Sequence, residues 1–160
     1  MLSYPGDKMA GMGNLYEYFA APDHGAAARA LAESPEAAGF LSLGMVKGLE
    51  PSVQLGALEA LLYDVDLEHV TAAPWHCALV DEASEDGPWV VTVTDTLRDA
   101  LVTTSEAVLR EVALRWARTS EFRGSPPQLP SLLEDFLRRF AVLARTAATR
   151  SEHLYCWASL

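Results

Sequence analysis

A chain of 160 residues, half of them hydrophobic and with no low-complexity tract, can bury one domain core but not two full-sized ones, which excludes disorder over most of its length. Its net charge of -10 argues against a nucleic-acid partner, because such affinity rests on Lys and Arg neutralising phosphates. Charge interrupts every apolar run short of the ~18 residues a membrane span needs, and no secretory signal pattern starts the chain, so a cytoplasmic protein with reduced cysteines and no membrane contact is expected.

Met1, Met9 and Met12 crowd the start, and regular patterning begins at Asn14, so residues 1–13 read as a disordered leader and 14–160 as a single domain. Asn14 to Ala21 puts Leu15, Tyr18 and Phe19 on one helical stripe that Pro22 stops. Asp23 then caps an Ala-rich helix ending before Pro35. Residues 36–50, with Gly39, Gly44 and Gly48 around the run from Phe40 to Val46, read as a short strand or buried loop. Pro51 suits the first position of a helix in which Leu55, Leu58, Leu61 and Leu62 recur at helical spacing; Gly56 inside it is either a weak point or a close contact. Asp66 caps a short helix, L-E-H-V-T-A-A, closed by Pro74.

Trp75 to Val80 and Trp89 to Thr94 are β-rich runs flanking D-E-A-S-E-D-G-P, which predicts a hairpin with a long charged tip, and the remaining elements are expected to pack around it. Alternation places Trp75, Cys77 and Leu79 on one face of its first strand. Thr94 or Asp95 opens the next helix, and Ser105 caps another that runs to Arg118 with Val108, Leu109, Val112, Ala113 and Trp116 inward. After the irregular F-R-G-S-P-P-Q-L-P, Ser131 and Glu134 form a capping box for a helix burying Leu133, Phe136, Leu137, Phe140, Leu143, Ala144 and Ala147. From Leu154 the period becomes two, predicting a terminal strand beside the hairpin. The expected class is α+β: a small, mostly antiparallel sheet, hairpin plus C-terminal strand, against several helices, with more helix than strand.

With Y-F-A-A-P-D at 18–23, L-E-A-L-L at 58–62, D-G-P-W-V-V at 86–91 and L-Y-C-W at 154–157, the chain resembles a group of small bacterial proteins from GC-rich genomes to which no activity is attached; ten Arg against two Lys fit that background. The resemblance implies a source and no mechanism, cofactor or catalytic residue.

Four groups of residues invite a chemical reading. His76, Cys77, His153 and Cys156 are zinc-type ligands, but neighbours on a strand point to opposite faces, so all four cannot converge on regular strands. A Cys–His nucleophile pair would use Cys77 or Cys156 as thiolate and His76 or His153 as base, with His76 and Cys77 the candidates, against the simpler reading in which Cys77 and Cys156 are small core hydrophobes in contact. Asp64, Asp66, Glu68 and His69 form a D-x-D-x-E-H run that would hold a hard cation if extended; a helix end with acid in the next first turn explains it more simply. Asp81, Glu82, Glu85 and Asp86 read as a solvated hairpin tip. No cofactor is implied.

Charge is divided unevenly. Residues 1–97 carry three basic against 15 acidic side chains, net -12, and residues 98–160 are net +2. Either the basic helices neutralise the acidic part within the molecule, both are solvated faces, or an acidic surface awaits a basic partner. The leading expectation is a non-catalytic protein-interaction or regulatory module with an acidic surface, a homo-oligomer remaining open. The alternative is a small-ligand or metal-binding protein or enzyme with a pocket near His76, Cys77, Asp64 and Asp66.

Overall fold

The computed structural model describes residues 14–81 and 85–159; the expected leader and Glu82 of the expected tip lie outside them. The protein is an α+β fold, richer in helix than in strand, built on a four-stranded antiparallel sheet in the order β2-β1-β4-β3. The strands are β1 (Leu15–Ala21), β2 (Ser42–Lys47), β3 (Trp89–Thr92) and β4 (His153–Ser159). The helices are α1 (His24–Ala27), α2 (Ala30–Glu33), α3 (Val53–Tyr63), α4 (Leu67–Thr71), α5 (Asp95–Thr103), α6 (Glu106–Ala117) and α7 (Leu129–Thr149), with a 3-10 turn at Ser120–Phe122. Among the described residues no helix is long and apolar enough to cross a membrane.

The segment expected to be the first helix is instead β1, a central strand. Tyr16, Tyr18 and Ala20 face the main core, while Phe19 and Ala21 enter a second cluster with Ala27, Ala30, Val90 and Tyr155. A strand covered on both faces shows no period of two, so its residues mimic a helical stripe; the aromatics Tyr16, Tyr18 and Phe19 were the β signal. All seven residues of β1 pair with β4, Tyr18 opposite Cys156 and Ala20 opposite Leu154. This pair, not the hairpin, is the centre of the sheet.

The terminal strand does lie beside β3, with Val91 opposite Cys156. The hairpin's first strand does not form as expected. Leu79 alone bridges Val91, supported by Val80 N–H donating to Val90 O at 3.0 Å and Thr92 N–H to Ala78 O at 2.9 Å. Residues 75–77 turn, with Cys77 left-handed at φ 48, which breaks the alternation: Cys77 is 2% exposed, Trp75 37% and Leu79 39%. The result is a strap across the sheet rather than a strand.

On the main face, α7 lays its expected stripe against β1, with Tyr18 5.8 Å from Phe136 and 5.2 Å from Phe140, ring centre to ring centre. The capping box is not used. The helix starts at Leu129 with Pro130 in its first turn, leaving Ser131 inside, and Glu134 pairs instead with Arg110 of α6 at 2.9 Å and Arg138 at 3.3 Å. The caps at Thr94 and Ser105 form as expected, their hydroxyls accepting from Leu97 and Val108 N–H.

Candidate functional site

The chain enters α3 through a buried polar turn. Glu50, 5% exposed, accepts from the Ser52 hydroxyl at 2.8 Å and from Val53 N–H, occupying the orphan donors of the helix start. His76 of the strap comes down on the first turns of that helix. Gly56 makes the space, since a Cβ there would lie 3.2 Å from His76 Cε1 and 3.1 Å from Leu67 Cδ1. The imidazole bonds the Ser52 backbone, and its Nε2 is buried without a partner. Burial holds His76 below the ordinary histidine range, the Ser52 bond acting the other way.

His76 and Cys77 open on a pocket with room for about one water molecule, lined also by Glu59, Thr92 and Thr94. Glu59 is 6% exposed and accepts from the Thr94 hydroxyl. Burial pushes its carboxyl up, with the Thr94 bond and the charge of His69 working against that shift. So small an enclosure suits a bound water and not an organic substrate. Cys77 and Cys156 share the main core, and burial, then the neighbouring Cys77, pushes the Cys156 thiol well up, which suits a core hydrophobe rather than a thiolate nucleophile.

The carboxylates expected beside this pocket lie elsewhere. Asp64 ends α3 in a left-handed conformation and lines a separate groove, while Asp66 starts α4. Asp64, Asp66, Glu68 and His69 are all exposed, and among the described residues no group of three or more His, Cys, Asp and Glu is placed to hold a metal ion. The groove, with a volume of about 390 Å³, runs between α3, α4 and the end of α6. Its floor is Ala57, Ala60, Leu61 and Leu67, and its rim carries Asp64, Arg115 and Glu121.

A polar array on the other side of the strap went unread in the sequence. His153 Nδ1 meets Asp95 Oδ1 at 2.8 Å, and His24 Nδ1 meets the Tyr155 hydroxyl at 2.9 Å. Both imidazoles pack on Trp75, ring centres 5.2 Å and 4.6 Å away. Burial, then the charges of Asp23 and Asp95, raises the Tyr155 phenol, so its hydroxyl stays protonated at neutral pH. With both Nδ1 atoms engaged, each ring keeps Nε2 as its remaining polar atom. Period-two spacing does place His153 and Tyr155 on one face, but their link to residues 24, 75 and 95 is purely tertiary.

Ion pairs join Asp95, Arg98, Asp99, Arg110, Glu134, Arg138, Arg150, Glu152 and His153, whereas the exposed Asp23, Glu33, Glu36, Asp64, Asp66, Glu68 and Asp86 enter none among the described residues. Among these seven carboxylates, the basic helices thus neutralise none through a direct ion pair with a described residue, whereas Asp95 pairs with Arg98 at 3.3 Å. No protein-family model, no curated protein and no solved structure matches the chain.

Proposed function

We propose that the protein is a cytoplasmic, non-catalytic interaction or regulatory module whose acidic surface meets a basic protein partner. The observation that carries this reading is the set of exposed carboxylates of Asp23, Glu33, Glu36, Asp64, Asp66, Glu68 and Asp86, none of which enters an ion pair among the described residues. Exposed carboxylates outside any ion pair create a field that draws a basic partner. The enclosed His76 pocket, fitted to about one water, supports binding at a surface over turnover of a substrate.

The test is affinity capture with the full chain at low and high salt, followed by binding measurements with the purified partner. A basic partner is expected, lost progressively as salt rises and lost at low salt when Asp64, Asp66 and Glu68 are all replaced by Lys. A neutral or acidic partner whose affinity ignores salt would sink the reading.

A further inference from the structure

We propose that the groove between α3, α4 and the end of α6 is the docking site, and that its occupant is a basic amphipathic segment of another protein, with an aliphatic side chain on the floor and Lys or Arg against Asp64. The proposal rests on the interaction-module reading and adds the place and the chemistry of the partner.

Ala57, Ala60 and Leu61 stand three and four residues apart on α3 and so share one helix face. Two alanines in that row hollow the face, and Leu67 of α4 closes its far side, which gives an apolar trough open to solvent. The end of the trough is negative for two independent reasons. Asp64, the residue that ends α3, carries an exposed carboxylate that enters no ion pair among the described residues, and the last carbonyls of an 11-residue helix converge at the same point, adding the negative pole of its dipole. Asp66 and Glu68 continue the acid beyond it.

That combination selects the occupant. An uncharged segment laid over Asp64 would strip water from a carboxylate and return nothing, whereas Lys or Arg restores the lost solvation as a charge-assisted hydrogen bond. A wholly polar basic segment would leave the alanine–leucine floor wet, so an aliphatic anchor is required. Arg115, on the opposite rim, is placed to take a backbone carbonyl of the occupant.

The experiment titrates the 15N-labelled full chain with two synthetic amphipathic peptides, one of Leu and Lys, one of Leu and Glu. The Leu/Lys peptide is expected to shift the amide signals of Ala57, Ala60, Leu61 and Leu67 saturably, less so as salt rises, and the Leu/Glu peptide to leave them in place. Ala60→Trp, which fills the trough without altering charge, and Asp64→Lys, a surface change that leaves the core alone, should each weaken binding about tenfold, as for loss of one packed anchor. Leu/Lys binding that maps to other carboxylates, or that survives Ala60→Trp, overturns the groove while leaving the acidic-module reading intact. Shifts that appear on concentrating the protein alone make the occupant a second copy and overturn the basic-partner assignment. No shift with either peptide overturns the groove, and salt-dependent capture of a basic partner then still decides the wider reading.

Discussion

The hydroxyl of Thr94 donates to the carboxylate of Glu59 and accepts from Leu97 N–H at 3.0 Å, so one buried side chain both caps α5 and ties it to α3. Thr94→Ala removes the cap and orphans a buried carboxylate together, for an expected loss of about 2 to 4 kcal/mol, while Thr94→Ser, which keeps both bonds, should cost under about 1 kcal/mol. Burial raises the Glu59 carboxyl, so its contribution is complete below the unfolded-state value and is lost as pH rises through the folded one. Glu59→Gln can still accept from Thr94 and should lose less stability than the parent between acid and neutral pH. Urea midpoints across that range check both statements.

His76 obeys the opposite sign. Its folded-state affinity for a proton is lowered by burial, so its neutral form stabilises the fold fully above about pH 6.5, the unfolded value, and the benefit drains away as pH falls through that value toward the folded one. In NMR the imidazole should titrate below about 6.5. Replacement by Gln should flatten the stability slope just below neutrality relative to the parent, and equal slopes for the two would show that His76 is not the buried base the structure indicates.

The strap is held to β3 chiefly through Thr92, whose hydroxyl donates to Trp75 O at 2.6 Å and receives Ala78 N–H at 3.0 Å. Thr92→Val keeps the shape and deletes both bonds, at a cost of about 1 to 3 kcal/mol. The sharper readout is local: the amide of Ala78 should exchange faster, and the Cys77 thiol, 2% exposed in the parent, should react with a thiol reagent well before global unfolding. Unchanged Cys77 protection in a folded Thr92→Val variant would contradict the anchoring role.

Legibility in the sequence followed how many faces an element buries. Helices α5, α6 and α7 are buried on one side, so the stripe containing Leu137 and Phe140 and the hydroxyls at Thr94 and Ser105 announced them. Strand β1 is covered on both sides, and a run in which nearly every residue must be apolar carries no period to read. Cys77 betrayed the alternation argument because a single left-handed residue turns a would-be strand into a strap. At the candidate sites, Gly56 hinted at a close approach, but neither Glu59 opposite Thr94 nor Trp75 between His24 and His153 leaves a local trace. Such partners lie tens of residues apart and meet only once the sheet has assembled.

Gly56 lets that last relationship be tested. Ala is about 1 kcal/mol better than Gly in a helix interior, so Gly56→Ala would stabilise α3 in isolation. In the folded protein the new methyl meets Leu67 Cδ1 at 3.1 Å and His76 Cε1 at 3.2 Å. Leu67 can rotate its terminal methyl away, but His76 is held by its bond to the Ser52 backbone, so the overpacking, about 1 to 3 kcal/mol, outweighs the propensity gain. Gly56→Ala should therefore lower stability by roughly 1 kcal/mol. Made in a His76→Ala background, where the obstructing ring is gone, the same change should raise it by about the same amount. A cycle of the four proteins by denaturant unfolding measures the reversal; the same sign in both backgrounds would mean that His76 does not pack over Gly56.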